Sequence, residues 1–470
     1  MVSSTSKVNF AIYVRYLKSS SSISSMAKSG RTGRRRKRKR NGICCSEHGR
    51  TVNEAECITL LKWAKRNGIS LGKLRPAYFP ATGRGLMTCR KLSSGDLVIS
   101  VPEEMLITAK TVRQSDIGKQ LAKLSLKPLL MLCVFILYEK HRGKSSFWHP
   151  YISALPRSFN TPAFFNEEEL NALPSSLHEQ CITQINTVHE SYEELKRLLE
   201  SSTGILEKTF LDNLTFDEFR WAWFVVNTRS VYKAGQVHVH VVTSTVAMGT
   251  LETENAYALA PVLDLLNHTD TAEVRAGFNQ RNNRYEIHTL TEYKKGKQVF
   301  ISYGPHDNRK LLIEYGFILP KNLHNAVTFS QDLVYSVVMP EISGVSRKKR
   351  EIIAANQLEK DLCCSEENGL SWSVFTLLRI LAMNEEEFRK HWQRTLTGEH
   401  LHEGIERTVL RWRQQLIRRV LELYKEADNL SDNACLPFHG QLSLNMELAL
   451  QLRIQEKQIL KNALKLLKIS

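Results

Sequence analysis

Asp264-Leu265-Leu266-Asn267-His268 closes a mostly apolar run that begins at Ala260, and Ile301-Ser302-Tyr303-Gly304-Pro305 follows about thirty-five residues later. The first stretch, broken only by Asp264, leads from apolar side chains straight into an amide and an imidazole. The second ends the strand-like run Gln298 to Tyr303 in a phenol followed by Gly-Pro turn signals. Each run is too short for an ordinary helix and is predicted as a buried strand. A polar group at the end of a buried strand is costly without a partner. Taken singly, the two stretches read as a satisfied core Asn-His pair and a strand-terminal aromatic.

The chain has 470 residues, which predicts two domains plus a tail. Its 42% hydrophobic and 24% charged residues are ordinary for a globular protein, but its net charge of +17 is not. That charge is uneven. No acidic residue precedes Glu47, while Lys7, Arg15, Lys18, Lys28, Arg31 and the run Arg34-Arg35-Arg36-Lys37-Arg38-Lys39-Arg40 contribute twelve positive charges. The remaining chain is only mildly basic, so the basic character belongs to a tail. Nine cysteines, an odd number, include no Cys-x-x-Cys. Cys44-Cys45 and Cys363-Cys364 are adjacent pairs that suit neither zinc nor an easy disulfide. A reducing compartment is expected, and no metal site. The longest apolar run, Leu129 to Tyr138, is far short of the roughly twenty residues a bilayer needs.

Residues 1 to about 50 read as a disordered basic tail. The first eighteen residues are compatible with a mitochondrial presequence. Arg34 to Arg40 is compatible with a nuclear import signal or with weak contact to nucleic acid, and this is the preferred reading. Glu54 to Asn67 reads as an amphipathic helix with Cys57, Ile58, Leu60, Leu61 and Ala64 on one side and Gly68 as its C-terminal cap. Arg84 to Cys89 and Leu97 to Val101 read as strands around a turn at Ser93-Ser94-Gly95-Asp96.

From about Thr108 to Ser230 the pattern is helical, with Pro128 opening one helix, Gly143 ending it, and Thr215 with Glu218 forming a capping-box pattern. Val237, Val239 and Val241 alternate with His238 and His240, which reads as a solvent-facing strand or loop. Tyr285 to Leu290 and Gln298 to Tyr303 read as a hairpin turning at Lys294-Lys295-Gly296. Asp307 is placed to cap a short helix, Arg309 to Tyr315, ending at Gly316. After Asn322 the chain reads as mostly helical, above all Ile405 to Ala427 and Leu444 to Leu467.

Thr82-Gly83-Arg84-Gly85-Leu86, then Asn267-His268, then Tyr303-Gly304, in this order and spacing, resembles the SET-domain methyltransferases. Pro76-Ala77-Tyr78-Phe79-Pro80, Trp221-Ala222-Trp223, Val226-Asn227-Thr228-Arg229 and Tyr303-Gly304-Pro305-His306-Asp307-Asn308 sharpen the likeness to members similar to the Rubisco large-subunit methyltransferases. Met26-Ala27-Lys28-Ser29-Gly30-Arg31 resembles the start of such a member, which would make residues 1–25 an extension. The resemblance is strong from Pro76 to Phe317 and weak in the C-terminal third.

It implies an α+β fold: a SET domain of small β-sheets with a knot-like C-terminal threading, at 72–304, interrupted by a helical insertion at about 108–230. A basic tail at 1–50 and an N-terminal helix at 51–71 would precede it. A segment at 305–325 would close the cofactor site, and an all-α lobe at 326–470 would help hold a protein substrate.

The activity implied is transfer of a methyl group from S-adenosylmethionine to a protein lysine. Such a site must align a neutral amine behind a methyl group and exclude bulk water. A lysine beside a sulfonium cation in a dry channel has its pKa lowered by like charge and desolvation, so no strong base is obligatory. By resemblance Tyr303 is the catalytic residue, hydrogen-bonding the amine and walling the channel. Asn267 and His268 would hold the amino-acid and adenine parts of the cofactor. Thr82, Gly83 and Arg84 form the glycine-bearing loop, where a missing Cβ lets backbone approach a ligand. Arg229 would grip the cofactor carboxylate, Phe317 would stack on the adenine, and Asp264 would contribute backbone contacts or structure.

One relative methylates a histidine of a cytoskeletal protein. Leu263 stands where that enzyme has tryptophan, so lysine is the expected acceptor, on histone or non-histone proteins. A non-catalytic SET-fold adaptor and a protein-histidine methyltransferase remain as alternatives. A monomer shared between nucleus and cytoplasm, without membrane attachment, is expected.

Overall fold

The structure, a computed structural model, describes residues 49–201, 206–233, 257–434 and 442–469. The basic tail up to residue 48 and the His238-His240 segment lie outside the described residues. Glu47–Ser470 is one compact unit.

The strands of the first half are, in chain order, β1 (Arg50–Thr51), β2 (Leu74–Phe79), β3 (Gly83–Thr88), β4 (Leu97–Pro102), β5 (Ser230–Tyr232), β6 (Tyr257–Leu259), β7 (Asn267–His268), β8 (Val274–Asn279), β9 (Arg284–Thr289) and β10 (Gln298–Ile301). They form small sheets. One has the order β1-β2-β3-β10-β7, another β4-β9-β8, and β5 pairs with β6. All pairs are antiparallel except β10 with β7, where Phe300 lies opposite Asn267 and Ile301 opposite His268. That one parallel pair brings the two decisive sequence stretches side by side.

Two sequence expectations fail here. Ala260 to Leu266 is buried but is not a strand. Pro261 has no N–H to give a ladder. The chain turns over at Val262, whose φ of +70° is unusual for a β-branched residue, and continues as a single 3-10 turn, Leu263–Leu265. Periodicity cannot separate such a turn from a buried strand. The hairpin also fails: β9 pairs with β4 and β8, and β10 with β3 and β7. The turn at Gly296 therefore passes the chain from one sheet to another.

The helices follow the sequence more closely. Ala55–Arg66 is a helix with Cys57, Leu60, Trp63 and Ala64 buried, and Gly68 follows with φ +76°. Ile58, expected on its apolar side, is exposed. Pro128 opens the helix Pro128–Arg142, whose residues Leu129 to Leu137 are all buried, and Gly143 ends it. The helix Phe216–Arg229 is capped by Thr215, whose hydroxyl accepts from the Glu218 N–H; the reciprocal half of the capping box is not formed. These helices and the first-half sheets share one hydrophobic core running from Leu60 to Ile301.

A second core, from Val327 to Leu467, fills the C-terminal part. Its helices include Trp372–Ala382, Glu403–Ala434 and Leu444–Ile469. The expected all-α lobe also contains a three-stranded sheet of β11 (Ala326–Thr328), β12 (Cys363–Ser365) and β13 (Gly369–Leu370). These strands are too short to leave a clear period in the sequence. Among the described residues no helix is long and apolar enough to cross a membrane.

Candidate active site

Tyr303 stands two residues beyond the end of β10, and β7 lies alongside. Its N–H donates to Nδ1 of His268 at 3.0 Å, and its phenol donates to the Leu266 carbonyl at 2.8 Å. Its ring lies 5.1 Å from His268, 4.9 Å from Tyr315 and 6.3 Å from Phe317, centroid to centroid. Phe317 is also 6.0 Å from His268. Tyr315 and Phe317 arrive on the short helix Asn308–Tyr315 and its αL cap Gly316, as Asp307 and Gly316 predict. Asp307 accepts from the Lys310 N–H at 2.8 Å.

The box is buried, and burial disfavours charge on its ionisable groups. Burial pushes the Tyr303 phenol up to about 12, with Arg229 pulling the other way. Burial, helped by His306, holds His268 down at about 4. Since Nδ1 of His268 accepts a hydrogen, the neutral ring carries its own hydrogen on Nε2. That buried Nε2 has no hydrogen-bond partner.

The Asn267 side chain spans the glycine-bearing loop. Its amide donates to Oε1 of Gln298 at 2.8 Å, to the Arg84 carbonyl at 3.1 Å and to the Thr82 carbonyl at 3.4 Å. Thr82 in turn meets the Gln298 amide at 2.7 Å. Gly83 has φ +70° with open space where a Cβ would stand, whereas a Cβ on Gly85 would lie 2.8 Å from the Asn267 amide. Close approach within the protein thus falls on Gly85, while the missing Cβ of Gly83 leaves the loop's outer side open. The Arg84 guanidinium turns away from the loop, donating to the Ala154 carbonyl and lying 3.9 Å from Glu54.

Arg229 ends the helix Phe216–Arg229, where a cation suits the helix dipole. Its Nη1 donates to the Asp264 carbonyl at 3.0 Å and to Oδ2 of Asp264 at 3.1 Å. The same carboxylate oxygen accepts from the Tyr151 hydroxyl at 3.1 Å. Asp264 is therefore committed to Arg229 and Tyr151, and Nε of Arg229 stays buried without a partner.

Tyr303, His268 and Phe317 thus share one aromatic box, while Asn267, Thr82 and the Arg84 carbonyl share one loop. Arg229 and Asp264 form a third cluster whose charges act on the Tyr303 phenol. Gln298, Tyr315, Tyr151 and His306 were not singled out from the sequence. Gln298 opens a strand beside the Asn-His pair and His306 follows Tyr303-Gly304-Pro305, but nothing local reveals what they touch.

The SET domain family matches residues 83–304, and the Rubisco LSMT substrate-binding family matches residues 345–460. Human SET domain-containing protein 4 is 35% identical over 390 residues, 82% of this chain and 86% of that protein. The chain belongs to the SET-domain family. A further likeness is to the actin-histidine N-methyltransferase of Gallus gallus, 27% identical over 86% of this chain and 67% of that protein. The SET domain of LSMT, solved bound to lysine and AdoHcy, shares the fold with a TM-score of 0.59 and 19% identity, covering 88% of this chain and 91% of that one. The weak motif likeness of the C-terminal third is thus met by a match of its own.

Proposed function

We propose that this SET-domain protein is a protein-lysine N-methyltransferase with Tyr303 as the catalytic phenol. Methyl transfer from S-adenosylmethionine to a protein substrate is the activity of the chain. What supports transfer to an uncharged nitrogen such as a lysine amine is the aromatic box around Tyr303, in which burial disfavours charge on Tyr303 and His268. When bound, the cofactor supplies a methyl group on a sulfonium centre.

The donor set fits that cofactor. Nε2 of His268 and Nε of Arg229 are buried donors without partners, complementary to acceptors on an adenine and a carboxylate. Thr82, Gly83 and Asn267 present the open side of the loop to the amino-acid end, Phe317 offers a stacking face, and Asp264 steadies Arg229. The same burial that holds His268 near 4 penalises a lysine ammonium, so the amine is favoured in its neutral form. A phenol held at about 12 keeps its proton at neutral pH. Tyr303 therefore orients the amine by hydrogen bonding and does not act as a phenolate base. Leu263, a buried residue standing where the histidine enzyme of the resemblance has tryptophan, supports lysine as the acceptor.

The likeness to the actin-histidine enzyme keeps a protein histidine as the second reading. Histone and non-histone proteins are both proposed substrates, and Arg34 to Arg40 is proposed to share the protein between nucleus and cytoplasm. Incubation with tritiated S-adenosylmethionine and a cell extract, followed by amino-acid analysis, tests the reading. Label is expected in methyl-lysine, with Tyr303→Phe losing at least about 10²-fold in rate. Label in methyl-histidine would move the assignment to the second reading. Tight S-adenosylhomocysteine binding with no transfer would leave a non-catalytic adaptor.

A further inference from the structure

The main chain of Tyr303 is held from two sides. Its N–H donates to Nδ1 of His268, and its carbonyl lies 3.1 Å from Nε2 of His306. A carbonyl can only accept, so Nε2 of His306 carries the hydrogen of that contact. The intervening turn exists to bring this ring back. His306 N–H donates to the Gly304 carbonyl at 2.9 Å. Gly304 has φ +138°, and a Cβ there would stand 2.5 Å from Nε2 of His306. Asn322 donates to the His306 carbonyl at 2.9 Å from the segment beyond the next helix. His306 is 9% exposed, and its ring lies within 22° of parallel to Tyr315, centroids 6.4 Å apart. Tyr315 in turn flanks Tyr303.

A buried imidazole is costly unless its polar atoms are used, and the transfer chemistry itself has no need of one here. We propose that His306 is a positioning residue for Tyr303, fixing the carbonyl side of its backbone as His268 fixes the amide side. The pair fixes the main chain from which the phenol projects. The proposal rests on the reading of Tyr303 as the catalytic phenol. Burial, with Lys310 and His324 adding to it, keeps the His306 ring neutral down to about 4, and the carbonyl partner selects the tautomer with its hydrogen on Nε2. A shift of about 1 Å in a reacting group can cost on the order of 10²-fold in rate.

The test compares His306→Gln, His306→Asn and His306→Phe with the parent chain and with Tyr303→Phe. Each is assayed with tritiated S-adenosylmethionine and a cell extract as acceptor. Maximal rate and the KM for the cofactor are read alongside S-adenosylhomocysteine affinity and the thermal midpoint. Gln can place an N–H near the position of Nε2, Asn is too short, and Phe keeps the ring without the donor. The Asn and Phe variants should lose roughly 10- to 100-fold in maximal rate. Their KM and S-adenosylhomocysteine affinity should stay within about threefold, under 1 kcal/mol, and Gln should recover most of the rate. Equal rates for folded Gln and Asn variants would overturn the proposal. So would a rate that falls only in step with folding or cofactor affinity. If the Phe variant does not fold, the Gln and Asn pair decides. Full activity of Tyr303→Phe is a different result, and removes the reading of Tyr303 itself.

Discussion

Tyr303 collects its neighbours from three separate stretches: His268, the Leu266 carbonyl, and the pair Tyr315 and Phe317. The consequence is a set of buried groups that all resist charging. His268 and His306 both fall from 6.5 to about 4 on folding. Below pH 6.5 the unfolded chain binds protons that the folded chain refuses, so folding stability is lost as pH falls toward 4. The loss is on the order of 3 kcal/mol per imidazole. Glu314, raised to about 7 by burial, has the opposite sign and is less favourable to the fold as pH rises through 7. The clean measurement is therefore a difference. The unfolding free energy of His306→Gln should fall less steeply between pH 6.5 and 4.5 than that of the parent chain. Parallel slopes would show that His306 titrates normally. At this scale the motif residues were legible, because Asn-His and Tyr-Gly at that spacing resemble a known family. Tyr315 and His306 were not, because their roles are contacts.

Among the elements, the short helix Asn308–Tyr315 was the most readable, since Asp307 and Gly316 mark its ends by local chemistry. Asp307→Ala removes the cap and should lower stability by about 1 kcal/mol, with Asp307→Asn closer to the parent chain. Chemical denaturation measures both. Gly316 is further constrained from outside: a Cβ there would stand 2.8 Å from the Asn160 backbone. The strand over Ala260 to Leu266 was misread because a buried 3-10 turn leaves the same short apolar run as a buried strand. The hairpin ending at Tyr303 was misread because its two strands, neighbours in sequence, belong to different sheets.

At the scale of the molecule, the C-terminal helix Leu444–Ile469 reaches back to the site. Gln455 accepts from the Asn308 amide at 2.6 Å, and Glu456 receives Nε and Nη2 of Arg309 at 2.6 and 2.8 Å. Tyr424 donates to the same carboxylate, and Arg309 also reaches Ser176 and Thr328. The helical insertion, the site helix and the last helix also share a small apolar cluster, Leu173 and Leu177 with Leu312 and Leu448 among its members. The Arg309–Glu456 pair is fully buried. Glu456→Ala leaves its partner charged and unpaired, and should cost about 3–5 kcal/mol, while Arg309→Leu with Glu456→Leu should recover part of that. Denaturant unfolding of the single and double variants reads this directly. A loss under 1 kcal/mol for Glu456→Ala would mean that water reaches the pair.

By itself the sequence determined the helices, their caps, the basic tail's composition and the motif residues, since each is written in spacing and side-chain chemistry within a few neighbours. Only the tertiary structure decided that β7 runs parallel to β10, that Gly85 and not Gly83 receives the Asn267 side chain, and that His306 folds back on Tyr303. Those outcomes depend on which segments, tens to hundreds of residues apart, are held within hydrogen-bond reach, and no local pattern encodes that distance.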